Sequence, residues 1–174
     1  MPSLKTYSAK LAELLGITQA VIYERQRALV KAGLLSYENG RGPGSGVKVS
    51  PESVAMLIVA TLAANNLAET GERALDVAGA TSTRASGKPF LDVLVELLKS
   101  RKLAREVHQI TISRSSADAS ISTGRTGLHS TQRFTHGARR KPPVRIIAEI
   151  DGDVVRQIAD DLAKIAGREP DGAP

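Results

Sequence analysis

Apolar residues recur at helical spacing along the first third of the chain and at strand spacing along much of the last third. Ser8 is placed to cap a helix running to Leu15, with Leu11, Ala12 and Leu15 inward and Gly16 as its stop. Thr18 is placed to cap a second helix to Ala32, and Gly33 ends it. Residues 34–38 and 47–50 read as the two strands of a hairpin around a Gly-rich tip at 39–45. Ser50 followed by Pro51 predicts another helix start, an N-cap followed by proline at the first helical position. The helix it opens, 52–65, is Ala, Leu, Ile and Val almost throughout and is expected to be buried on most sides.

The pattern loosens over residues 67–89, where a weak helix over 67–80 gives way to Ser, Thr, Gly and Ala. We read this stretch as a linker. Residues 90–105 return to helical period through Phe90, Leu91, Leu94, Leu97 and Leu98. Alternation follows at 106–114 (Ile110, Ile112), 117–122 (Ala117, Ala119, Ile121) and 144–150 (Val144, Ile146, Ala148, Ile150). A last amphipathic helix, 153–166, carries Val154, Ile158, Leu162 and Ile165 on one stripe. Residues 123–143 read as a long polar loop with a short strand near Phe134, and 167–174 as a frayed tail. The expected class is α+β: an N-terminal unit at 1–66, a linker at 67–89, and a helix–sheet–helix domain at 90–166.

Composition narrows the chemistry. With no Cys, disulfides, thiolate metal sites and a Cys nucleophile are excluded. Two Phe, three Tyr and no Trp leave the core to aliphatic residues. The longest apolar run, near residues 54–64, is shorter than the roughly 20 residues that span a bilayer. No apolar leader is visible, so the expectation is a cytoplasmic, nucleoid-associated protein with no membrane partner. The net charge of +6 is uneven: residues 1–66 hold seven basic and four acidic groups, whereas 144–174 hold four and seven. A polyanion would therefore be met by the N-terminal and middle parts.

The segment from Ser8 to Tyr23 has the residue types that two tightly crossing helices require. Ala12 is small where the second helix crosses the first, Gly16 tolerates positive φ in the turn, and Ile17 and Ile22 supply apolar anchors. This resembles the helix-turn-helix of bacterial and phage regulators. The following "AGLL" at 32–35 and the Gly-rich hairpin resemble the wing of their winged-helix members. The resemblance covers residues 7–65. Arg25 departs from it, standing where an apolar residue is usual; its stem is expected along the core edge with its head in solvent.

The resemblance implies double-stranded DNA as partner, with the second helix in the major groove. Gln19, Ala20 and Tyr23 would lie nearest the base edges, since Gln bonds adenine bidentately and Ala meets the thymine methyl. Thr18 and the amides at the helix start would hold phosphate. Arg27 and Lys31 face the backbone, and Glu24 either reads cytosine or pairs with Arg27. Arg41 at the wing tip and Lys48 on the return strand would meet phosphate or minor groove. The competing reading of the same residues is an ordinary helical hairpin with a solvated polar face.

Other chemistry is weakly marked. His108, His129 and His136 lack metal-ligand spacing, and no Gly-x-Ser-x-Gly elbow appears. The glycines at 40–46 lack the Lys-Ser/Thr of a phosphate-binding loop. Asp151 and Asp153 suit a helix N-terminus. Nothing points to a metal, a cofactor or an enzyme. Arg125, Arg133, Arg139, Arg140 and Lys141 form a second basic patch, either a phosphate clamp or a solvated loop. The expected function is transcriptional regulation by a homodimer, with the helix at 52–65 as dimerisation element and 90–166 as a dimerisation or partner-binding domain. The alternative is a DNA-architecture, packaging, replication or partition adaptor whose C-terminal domain docks a protein.

Overall fold

A computed structural model describes residues 2–37, 46–83, 87–124, 129–137 and 144–167. Helix α1 spans Leu4–Leu15 and starts one turn earlier than the pattern predicts. Ser3, not Ser8, is its cap, accepting from the Thr6 amide at 3.3 Å. Ser8 lies inside the helix and donates to the Lys5 carbonyl at 2.6 Å. Gly16, at φ 65°, closes the helix in the left-handed conformation that the turn needs.

Helix α2 spans Gln19–Lys31, with Thr18 accepting from the Val21 amide at 3.4 Å and Gly33 at φ 73° beyond its end. No strand follows over 34–37: Leu35 is buried, Tyr37 is exposed, and the backbone is irregular. The segment 46–49 pairs instead with the start of the chain. The Leu4 amide donates to the Val47 carbonyl at 2.7 Å and the Val49 amide to the Pro2 carbonyl at 3.3 Å. The Gly-rich tip, with Arg41, lies outside the described residues.

Helix α3, Pro51–Ala63, opens as predicted. Ser50 and Ser53 cap each other reciprocally, and Pro51 occupies the first turn. Every residue from Ser53 to Ala63 is buried. That corrects the expectation of a dimerisation helix: its faces are spent on α2 and on helices and strands further along the chain, so it offers a second copy no surface.

The stretch read as a linker is built into this core. It holds α4 (Thr70–Ala78), whose Ala74, Val77 and Ala78 are buried against α3, and the short strand β1 (Thr81–Ser82). The small residues that looked like spacer composition permit close packing: a Cβ on Gly71 would come 2.7 Å from that of Ala32. The helix predicted at 90–105 is two, α5 (Phe90–Lys99) and α6 (Arg101–Glu106). Ser100 is extended between them and caps the second through the Leu103 amide at 3.3 Å.

Strands β2 (Val107–Ser113), β3 (Ala119–Thr123), β4 (Ser130–Thr135) and β5 (Ile147–Asp151) join β1 in an antiparallel sheet of order β1-β4-β3-β2-β5. The register aligns Ile112 with Ala119 and Ala148, and Ile110 with Ile121 and Ile150. Between Val107 and Gln109 the β2–β3 register shifts, a bulge that lets Val107 and Ile110, three apart, both turn inward. Helix α7 (Gly152–Ile165) crosses back over β2. Its first residue touches the strand, because a Cβ on Gly152 would overlap the Val107 carbonyl.

Helices α3 and α7 pack on one face of the sheet, and one hydrophobic cluster runs from Leu4 through Ile58 and Ile112 to Leu162. The chain's two Phe meet within it, Phe90 and Phe134 edge to face with centroids 5.1 Å apart. The architecture is α+β, with seven helices and five strands among the described residues. No described helix is long and apolar enough to cross a membrane.

Candidate nucleic-acid interface

The buried stripe of α2 is Ile22, Arg25, Gln26 and Leu29, the i, i+3, i+4, i+7 series of a helix packed on one side. Arg25 falls inside this stripe and Val21 outside it. Val21 is 42% exposed, and Arg25 is only 7% exposed. The Arg25 head is not in solvent. Its guanidinium donates to the carbonyls of Asn66 and of Ala64 (3.1 Å) and to the Thr70 hydroxyl. Those carbonyls lie just past the C-terminal end of α3, where a cation is favoured by the helix dipole. Burial pulls the Arg25 pKa down, with the nearby Arg114 charge adding to it and Glu69 opposing. Arg114 itself donates to the Leu62 carbonyl at 2.9 Å, and Arg73 to the carbonyls of Ser113 (3.2 Å) and Ser116 (2.8 Å). Three arginines thus tie α2, α4 and the end of β2 to one another around the end of α3.

With that stripe turned inward, the opposite side of α2 is left outside. Thr18, Gln19, Ala20, Arg27 and Lys31 are exposed, and Tyr23 and Glu24 are half-buried. The Gln19 amide donates to Ser8 at 3.2 Å, bracing the start of α2 on α1. Glu24 takes the pairing alternative, meeting Arg27 at 3.3 Å one turn on. Lys5 sits over the Tyr23 ring, its Nζ 5.7 Å from the centroid, and brings a further cation beside the ridge. The sequence reading missed Lys5 because it began the helix at Ser8; the Ser3-Leu4 pair, a cap before an apolar residue, was the available signal.

Of the two wing residues, Arg41 and Lys48, the structure describes only Lys48. Lys48 is exposed but borders an apolar pocket of about 200 Å³ walled by Leu98 of α5 and Leu162 of α7. Of the second basic patch, Arg125, Arg139, Arg140 and Lys141 fall outside the described residues, and Arg133 is exposed on β4. It looks out on the sheet face that no described helix covers, in register with Ser120, which pairs in turn with Thr111.

The histidines do not converge on a ligand set. His108, at the β2 bulge, stacks on His129 with centroids 4.5 Å apart and ring planes 29° from parallel. Stacked rings point their nitrogen lone pairs side by side, a poor geometry for one shared ion. His136 approaches Gly79 instead.

The arrangement sets a helix N-terminus, an exposed Gln, a small apolar residue and a half-buried Tyr along one side of α2, with Lys5, Arg27 and Lys31 beside them. No protein family matches the chain, and no curated protein or solved structure matches it either.

Proposed function

We propose that residues 2–63 form a winged helix-turn-helix that reads double-stranded DNA, with α2 in the major groove, and that the protein acts as a transcriptional regulator. The observation that carries this reading is the exposure of Thr18, Gln19 and Ala20 at the start of a helix whose far side is fixed in the core. The first turn of α2 offers amides not used within the helix, which suit a phosphate oxygen. Gln19 and Ala20 have the chemistry to distinguish A·T pairs in the major groove. The pairing of 46–49 with the chain start ties the segment before α3 to the start of α1. In this reading Lys5, Arg27 and Lys31 position the protein on the backbone and carry no sequence information.

The test is selection of bound duplexes from a random pool, followed by titration of the winner against scrambled DNA. A regulator prefers its own site by about a thousandfold or more. Gln19→Ala should redistribute that preference, whereas Arg27→Ala with Lys31→Ala should weaken all duplexes alike. The double change should also lower the salt slope by about one to two. Binding without a preferred site, or variants indistinguishable from the parent, rejects the reading.

A further inference from the structure

Strand β5 is an edge of the sheet, and among the described residues no further strand pairs with it. The opposite edge, β1, is two residues long and offers little to pair with. Strand β5 and the residues leading into it present Val144 (71% exposed), Ile146 (51%) and Ile147 (52%) to solvent. Sequence alternation predicts Val144 and Ile146 to be covered with Ala148 and Ile150. Only Ile150 is fully buried, and Ala148 is half-covered. The apolar row runs past the helices that should cover it.

The backbone fixes which groups point outward. The Arg114 amide donates to the Ile146 carbonyl at 2.7 Å, and Ala148 and Ile150 stand opposite Ile112 and Ile110. In an antiparallel ladder the residues that bond a neighbour alternate with those that face away. Residues 146, 148 and 150 therefore bond towards β2, and 145, 147 and 149 turn their N–H and C=O groups to the open edge. Their side chains lie on the uncovered sheet face, where Arg145 and Ile147 border a shallow pocket with Thr111 and Ser113.

We propose that β5 pairs antiparallel with β5 of a second copy of this chain, on a twofold axis at Ile147, joining two sheets into one. This register sets outward-facing residues against each other, as ladder hydrogen bonds require. It places each Arg145 opposite the Glu149 of the other copy, twice across the axis, with Ile147 against its own counterpart between them. On the other side of the sheet it sets Val144 against Ile150 and Ile146 against Ala148, covering the exposed row. Arg145 and Glu149 are both exposed, and neither has a partner among the described residues. A slip of the strands to put residue 146 on the axis would leave both charges without an opposite. The interface does not depend on what α2 binds.

The test is sedimentation of the full chain over a concentration series, comparing the parent, Arg145→Glu, Glu149→Arg and an equimolar mixture of the two variants. The parent should sediment at twice the 18.4 kDa chain mass. Each single variant brings like charges together at both ends of the ladder and should dissociate at concentrations at least about tenfold higher than the parent. The mixture should reassemble, because every cross-axis pair is then opposite in charge again; this outcome also shows that both variants are folded. A parent that stays monomeric, a dimer indifferent to the single changes, or a mixture no tighter than its components overturns the proposal.

Discussion

The helical half of the molecule and its sheet half dispose of their polar groups in opposite ways. Among α1 to α4, apolar stripes close on one another and, among the described residues, one charged group, the Arg25 guanidinium, is taken into the core and held by carbonyls. In the sheet, polar residues are sorted by strand alternation onto one face, and that face is left open: Thr111, Ser120 and Arg133 lie side by side across three strands. A helix can bury a misplaced charge if a neighbouring helix ends nearby, since the free carbonyls there accept hydrogen bonds. A strand interior has no such reserve, because its backbone groups are already paired along the ladder. The helical half should therefore be sensitive to a polar substitution at one buried point, and the sheet half to anything that lifts its covering helix.

The largest effect is expected where the sheet half meets that helix. Gly152 lies against β2, and an added Cβ would overlap the Val107 carbonyl and come within 2.8 Å of its carbon and 3.0 Å of the His108 oxygen. Backbone cannot yield as a side chain would. Gly152→Ala should cost about 3 kcal/mol or more in denaturant unfolding. A loss under about 1 kcal/mol would mean that α7 rides loosely on the sheet, and the rigid seam described above would be wrong.

Next in size is Arg25→Met, which keeps the stem and removes the head. The Ala64 carbonyl and the Thr70 hydroxyl would each lose a donor in a buried place, and the Asn66 carbonyl one in a partly buried place. Stability should fall by about 2 kcal/mol, read as a lower denaturant midpoint with an unchanged slope. A gain in stability would instead show that the cost of desolvating the guanidinium exceeds what its hydrogen bonds return. In that case Arg25 would orient α2 at the expense of stability, and the contrast between the halves would sharpen.

What could be read in advance follows the same division. Helix limits set by a cap and a stop were legible: Thr18, Gly16 and the Ser50-Pro51 pair act within one turn of themselves. Ser8 misled because Ser3 satisfies the same rule one turn earlier, and only the pairing of Pro2–Leu4 with 47–49 decides between them. Arg25 was visible as an anomaly, but the carbonyls that hold it lie about forty residues away, and helical period cannot reveal them. The linker was misread for a related reason. Small residues make both loops and close helix contacts, and the choice between them rests on whether a partner such as Ala32 is near. On the sheet, alternation assigned the faces of β2 and β3 correctly. It overextended in β5, because how far α7 covers a strand is a property of the whole fold. The exposure of Gln19, Ala20, Arg27 and Lys31 on α2 was legible, since a face is fixed by the 100° step once the helix exists, whereas the half-burial of Tyr23 and Glu24 was not.

The smallest expected effect concerns a surface link between the two halves. Glu52, in the first turn of α3, meets Lys99 at the end of α5 at 2.6 Å, with both side chains about half exposed. The hydrogen bond from Lys99 is the chief cause holding the Glu52 carboxyl below its usual range, with lesser help from its own amide and Ser50 and partial opposition from burial. A carboxyl whose pKa is lower folded than unfolded stabilises above the unfolded value and loses that contribution as pH falls through the folded one. Glu52→Gln should therefore destabilise at neutral pH, though by no more than about 0.5 kcal/mol, because solvent screens an exposed pair. The gap between parent and variant should shrink in high salt and close in acid below the folded pKa, as followed by denaturant midpoints across a pH series. A gap that persisted in acid would have to come from packing by the Glu52 stem rather than its charge. A gap much larger than this at neutral pH would mean that the halves are held together at their surface as well as through the shared core.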